Sequence, residues 1–352
     1  MGVVNIQKTY GSGSGDVLKF LDGSMSSFIC PRNIDNIYDY TFYRFSGLRR
    51  VEIGDNIKTI GDYAFYQCSS VEEWTISGRL QYVGAHAFSI SAKNGVYIDV
   101  DLNNATIKEY AFNASNLRNL TGCVNGVERL AFYDSSYHDY VNKVSFTNLK
   151  IDGAVGAHAF YGRTTGNGFF INRESNITSL GESAFAISSY NKTVSTPHVL
   201  DFRGSTFTSL PTNAFSWNAL SNDGLLNALL YFPTSLSYIG NYVFGNHKSC
   251  YYYFLNTIPC PVSTSAFSSV SQWGAIFVPY DYINTYKTAT NWTTVSQYIK
   301  GWAPENTFSV GETLPTVNRE GYGLTWYTDR ECTTQISVVV DADVELYCVA
   351  SA

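Results

Sequence analysis

Ten times along this chain a small residue and a phenylalanine return side by side, after a short lead-in that is usually apolar–glycine. The clearest copy is IGDYAF, Ile60 to Phe65. Its relatives end at Phe88, Phe112, Phe132, Phe160, Phe185, Phe215 and Phe244, and two looser copies, IYDYTF and VSTSAF, end at Phe42 and Phe267. Successive phenylalanines lie 23, 23, 24, 20, 28, 25, 30, 29 and 23 residues apart. A unit that recurs every ~25 residues cannot bury its apolar face alone, so neighbouring units must stack and share one continuous core. The spacing predicts an elongated solenoid, whose function would reside in a long displayed surface rather than a catalytic pocket.

Within a unit a short β-pattern precedes the lead-in. LRRVEI (Leu48 to Ile53) is apolar at its first, fourth and sixth positions, and VEEWTI (Val71 to Ile76) and VNKVSF (Val141 to Phe146) repeat this. The last two apolar positions alternate with polar ones, the period of a strand with one buried face. A turn follows, often bearing Gly or Asn, then Ile57, Ile60 and the Ala-Phe pair. Ala beside Phe suits a short helical or 3-10 turn, in which Ala permits close approach and Phe fills the core. Units longer than the mean must carry insertions on one face.

The L-x-x-L-x-L opening with the IGxxAFxxC tail of Ile60 to Cys68 resembles the BspA-like leucine-rich repeats over roughly residues 34–280. Such repeats occur in surface proteins of gut and oral bacteria, in some parasitic protists and in phages. The resemblance implies a β-rich repeat solenoid, a right-handed leucine-rich-repeat coil of short strands and short helical or 3-10 turns. Its core ladder would be Phe65, Phe88, Phe112, Phe132, Phe160, Phe185, Phe215 and Phe244. Residues 1–28, with GSGSG at 11–15, read as an entry segment and residues 29–300 as the array. A terminal unit needs a cap. IFVPYDYINTYKTATNW (Ile276 to Trp292) reads as a strand, a proline and a short helix with Asp281 as its N-cap, giving a cap over about 276–300. It resembles the closing element of BspA-like arrays through Val278-Pro279 and Tyr286-Lys287.

Residues 301–352 read as a separate module. LPTVNREGYGLTWYTDRECTT (Leu314 to Thr334) and VELY (Val344 to Tyr347) resemble the Listeria–Bacteroides repeat, also called the InlB B-repeat, with Arg319, Glu320, Gly321, Tyr322, Trp326, Tyr327 and Tyr347 on its motif. Thr325 stands where that family usually has glycine, and Cys348-Val349-Ala350 where it has Ala-Lys-Trp. The likeness implies a small β-grasp-like domain used as a spacer or contact module.

Charged residues are 15 % of the chain and aromatics 16 %, with 27 tyrosines and 22 phenylalanines; soluble domains average about 25 % charged. Net charge is −6 and no Lys/Arg cluster could follow a phosphate backbone, which argues against a nucleic-acid partner. No run approaches ~18 apolar residues, so no membrane span is expected. MGVVNIQKTYGSGSGD lacks the basic n-region and apolar run of a secretory signal. Seven cysteines include no CxxC; buried thiols are the expected state, and only Cys332 with Cys348 invites a test for a bridge.

Catalytic patterns are missing. His86, His138, His158, His198 and His247 form neither HExxH nor a zinc spacing, and His86 and His158 share one place in two GAHAF units, which repeat geometry explains. Asp99 and Asp101 could form a carboxylate pair for acid–base work or calcium. They alternate with Ile98, Val100 and Leu102, which makes them the wet face of a strand. No GxSxG elbow occurs, and GSGSG is neither a P-loop nor a dinucleotide fingerprint. No catalytic residue, cofactor or metal ligand is expected.

The outward strand positions carry a gradient. Early units place Arg50 and Glu52, Glu73 and Thr75, Lys143 and Ser145, and Asp201 and Arg203 there. Late units place Tyr231, Tyr251, Tyr253 and Phe277 there, a patch suited to a protein or glycan partner because tyrosine adds contact area at little entropic cost. Two other readings remain: the aromatics dock the C-terminal module, or the strand phase is off by one, which would exchange the faces. The expected role is non-enzymatic adhesion or structural presentation on an exterior surface. A phage virion component (fibre, decoration or tail-associated protein) comes first, a bacterial or protist adhesin second, and a glycan-active enzyme third. Homo-oligomerisation or attachment to a larger assembly fits such a role.

Overall fold

The computed structural model describes residues 7–9, 17–19, 25–32, 34–91, 96–115, 117–133, 145–162, 169–186, 198–216, 228–268, 270, 272–302, 313, 323–328, 334–337 and 346–351. It is a β-solenoid of about ten turns with few helices. Each turn contributes three sides. In the unit from Leu48 to Val71, strand Arg50–Ile53 buries Val51 and Ile53 and points Arg50 and Glu52 outward, as a strand period of two dictates. The chain turns at Gly54 to Asn56, buries Ile57, and forms the short strand Thr59–Ile60. Residues 61–68 then close the loop with the Ala-Phe turn.

Strands of successive units pair in parallel on two sides. The outer sheet begins with Ser27–Ile29, Arg50–Ile53 and Glu73–Ile76. These three form a sheet of their own, and the next ladder on this side runs from Ile98–Ile107 through Leu117–Val127, Ser145–Val155, Phe169–Ile171, His198–Asp201, Ala228–Tyr231, Lys248–Tyr253 and Gln272–Pro279 to Ile299–Trp302. The second side carries the short strands, from Asn36–Ile37 to Tyr238–Ile239. Three middle units run through the corner without a break, so Ile98–Ile107, Leu117–Val127 and Ser145–Val155 serve both sides and merge them. Register shifts mark these corners, and Gly122 permits one of them. Its φ is +94°, and a Cβ there would lie 2.0 Å from the Leu102 carbonyl oxygen, so no other residue fits.

The Ala-Phe segment is not a helical turn. It is a chain of linked i→i+3 turns whose remaining N–H groups bond to the next unit. Tyr63, Phe65 and Gln67 donate to Ala85, Ala87 and Ser89, and His86, Phe88 and Ile90 donate to Glu109, Ala111 and Asn113. This alternation places the residue two before nine of the ten phenylalanines in the left-handed region: Tyr40, Tyr63, His86, Tyr110, Leu130, His158, Ser183, Asn213 and Tyr242 all have φ of +52 to +58°. Non-glycine residues resist that conformation by roughly 1–2 kcal/mol each, and the cross-unit hydrogen bonds hold them there. Ile90, two residues after Phe88, is the worst case, being β-branched, at φ +55° and 39 % exposed. Ile90→Gly should therefore raise stability by about 1 kcal/mol, read as a higher melting temperature; an unchanged or lower one would show that the strain is relieved elsewhere.

All ten phenylalanines are buried and stack in one column from Phe42 to Phe267. Ring centroids are 5.0 to 6.3 Å apart along it. Phe28 covers the first ring, at 4.6 Å. The array therefore starts by residue 27, slightly before the expected boundary. At the other end Trp292 leans on Phe267 (5.6 Å), donates Nε1–H to Cys260 O (2.9 Å) and meets Tyr286 edge-on (4.9 Å). In three units the position three after Phe holds a small buried side chain, Cys68, Ser91 or Ser115. Cys68 donates its thiol to Phe42 O (3.0 Å), and burial pushes its pKa up to about 12, so it packs rather than reacts.

In the cap the helical segments are Tyr280–Tyr282 (3-10), Ile283–Thr288 (α) and Trp292–Tyr298 (3-10). Asp281 is not an N-cap. The 3-10 turn already begins after Pro279, which leaves Asp281 inside it, and no side chain caps any of the three. Strand Ile299–Trp302 pairs with Gln272–Pro279, so the sheet runs to Trp302, past the expected limit at 300. Beyond it, Gly323–Tyr327 pairs antiparallel with Gln335–Ile336 and Tyr347–Ser351. Cys332 and the side chain of Cys348 fall outside the described residues, as do His138, Lys143 and GSGSG.

Candidate recognition surfaces

Outward side chains on the first half of the outer sheet neutralise one another. Arg50 lies 3.6 Å from both Glu52 and Glu73, Arg79 pairs with Asp101 (3.0 Å), Arg118 with Asp99, and Lys150 with Asp152 (3.2 Å). Exposed pairs of this kind contribute little to stability; their effect is a strip of interspersed, nearly balanced charge. Asp99 also accepts from Asn119 Nδ2 (2.9 Å) and Asp101 from Thr121 Oγ1 (3.2 Å), which places both aspartates on the wet face. Among the described residues no group of three His, Cys, Asp or Glu side chains converges as a metal site would.

The four described histidines, His86, His158, His198 and His247, sit in turn and core positions. His86 and His158 occupy the left-handed turn position. His198 accepts from the Phe169 N–H (2.9 Å), and His247 bridges the Tyr252 hydroxyl and the Phe215 carbonyl oxygen (3.0 Å each). Burial holds both neutral, with pKa lowered to about 4.

The later half of the outer sheet is aromatic, with the phase expected from the alternation: Leu230, Phe232, Tyr252, Phe254 and Ile276 face the core, and Tyr231, Tyr251, Tyr253 and Phe277 face away from it. Their exposure is uneven. Tyr231 is only 6 % exposed, against the expectation of an open anchor. The Arg203 guanidinium covers one face of its ring at 4.6 Å, Tyr253 stacks on the other at 4.4 Å, and Val199 and Leu229 pack beside it. Arg203 is held by the Asp201 carboxylate (2.6 Å). Tyr253 and Phe277 are half-buried and stack at 4.8 Å, Trp302 meets Tyr253 edge-on, and Tyr251 is 37 % exposed. Tyr251, Tyr253 and Phe277 thus form an accessible aromatic edge and Tyr231 its base.

A second aromatic surface, which the sequence reading passed over, lies on the Ala-Phe turn side. Tyr40, Tyr63, His86 and Tyr110 stack in a column with steps of 5.0, 4.7 and 4.8 Å. Tyr43 and Tyr66 form a parallel column (5.3 Å), and edge-on contacts between the columns complete a herringbone. Tyr40 is 44 % and Tyr43 39 % exposed. The signal was in the repeats: these are the positions two before and one after each phenylalanine, and DYTFY, DYAFY and EYAFN fill them with tyrosine or a polar residue.

No helix among the described residues is long and apolar enough to cross a membrane. A family model described as "BspA type Leucine rich repeat region" matches the chain in six copies, over residues 19–139 and 137–289. A search of curated proteins found no match.

Proposed function

Because the chain belongs to the BspA-type leucine-rich-repeat family, we propose that it is a non-catalytic adhesion or recognition protein displayed on an exterior surface. The observation that carries this reading is the accessible aromatic edge of Tyr251, Tyr253 and Phe277 on a sheet whose backbone is locked by parallel pairing on both sides. Aromatic groups held rigid need little ordering on binding, which is where interface affinity concentrates. The ligand would be a protein or a surface glycan, since Tyr251 offers both an apolar ring and a hydroxyl.

A cell surface is the setting that the family supports. A virion is the narrower one, favoured by the charge-poor, polar-aromatic composition; recovery at fixed stoichiometry in purified particles would establish it. The C-terminal strands fit a spacer or contact module of the InlB B type, with Trp326 as a buried anchor.

The test is binding of the full chain to a glycan array and to whole cells. Tyr251→Ser with Tyr253→Ser should weaken the wild-type interaction by about tenfold or more while leaving the fold unchanged by circular dichroism. Equal binding by the variant would remove the site, and hydrolysis of any arrayed polysaccharide would remove the non-catalytic reading.

A further inference from the structure

The tyrosine herringbone on the turn side has a chemistry that selects its occupant. Rings in the column from Tyr40 to Tyr110 cover one another's faces, so what reaches outward is their edges and hydroxyls. Such a surface offers few open ring faces on which a sugar could stack. A tyrosine hydroxyl both donates and accepts, so a row of them is complementary to another copy of itself, as a two-fold interface requires.

The step of the column points the same way. At 4.7 to 5.0 Å it is the spacing of paired strands, about 4.7–4.9 Å. A second array laid alongside with its axis parallel would meet every unit at the same height, and each contact would recur unit after unit.

Charge supplies the orientation. Within each turn the residue before the first column is acidic in Asp39, Asp62 and Glu109, and the residue after the second column is Arg44 or Gln67. Asp39 and Asp62 accept only backbone N–H groups, and Arg44 bonds to Gln67 Oε1 (2.7 Å) with its guanidinium 5.4 Å from the Tyr43 ring. Neither Asp39 nor Arg44 has an ion-pair partner among the described residues, and Asp62 feels only the more distant Lys108. A two-fold axis running along the array exchanges the two flanks and sets Arg44 of one copy against Asp39 and Asp62 of the other.

We propose that the tyrosine face joins two copies of this chain side by side, with parallel axes pointing the same way. The proposal is independent of the ligand site on the outer sheet. Sedimentation velocity on the full chain, from low to high micromolar concentration, tests it. The wild type should shift from monomer to dimer across that range, and added salt should weaken the dimer. Tyr40→Asp, at the exposed end of the stack, and Arg44→Glu should each weaken association about tenfold or more, with unchanged circular dichroism; Tyr251→Ser should leave it intact. A wild type that stays monomeric throughout, or a dimer indifferent to both turn-side variants, would overturn the proposal.

Discussion

Phe112→Ala is expected to cost about 3–5 kcal/mol, one of the largest losses from any single side chain in the molecule. Phe112 is fully buried and lies between Phe88 and Phe132, with ring centroids at 5.2 and 5.3 Å and nearly parallel planes. Its removal takes away the transfer free energy of the ring and leaves a void that the stacked units above and below cannot collapse into, because their backbones are pinned by Phe88 N–H to Ala111 O and Phe112 N–H to Ala131 O. In a stack where each unit touches only its neighbours, a gap in the middle weakens the coupling of everything on one side to everything on the other. The same change at Phe267, which is less buried and partly covered by Trp292, should cost less. Thermal or urea unfolding measures both. A melting curve unmoved by Phe112→Ala would mean that the column is not a shared core.

Acid should destabilise the chain steeply. His198 and His247 have folded pKa values lowered to about 4 by burial, against about 6.5 in an unfolded chain. The unfolded state therefore binds protons that the folded state refuses. Stability is full above about pH 6.5 and is lost as pH falls through about 4, at up to roughly 3 kcal/mol for each histidine. The melting temperature should fall progressively over that window. His247→Gln, which keeps a donor and an acceptor for Phe215 O and the Tyr252 hydroxyl, should lower stability at neutral pH and yet shallow the slope between pH 6.5 and 4. A slope identical to wild type would place the proton uptake elsewhere.

Much of the fold was legible in the sequence because it rests on two periods. The Ala-Phe return set the stacking, and alternation in LRRVEI set which strand face is buried; Val51 and Ile53 lie inside, Arg50 and Glu52 outside. What resisted reading depends on backbone conformation, which residue type records weakly. Tyr63 and His86 do not advertise a left-handed φ, so the turn was expected to be helical or 3-10. Asp281 looked like a cap because nothing in YDYIN shows that the 3-10 turn has already begun at Tyr280. Tyr231 has the phase of an exposed residue and is closed off by Arg203, twenty-eight positions earlier and one unit away. The turn-side tyrosines were visible letter by letter; their alignment into one surface becomes apparent only when the units are laid on each other at strand spacing.

Differences in unit length have one more consequence. Residues 134–144, 163–168, 187–197 and 217–227 each join the end of an Ala-Phe turn to the outer-sheet strand that follows. Most of the extra length is thus admitted at a single corner, while the other sides vary by only a few residues and absorb them as register shifts. The units are interchangeable parts with a common joint. A chain cut at that joint in two units and rejoined with one turn fewer would still set ring upon ring and strand beside strand, which makes the array a rod whose length could be edited in whole turns.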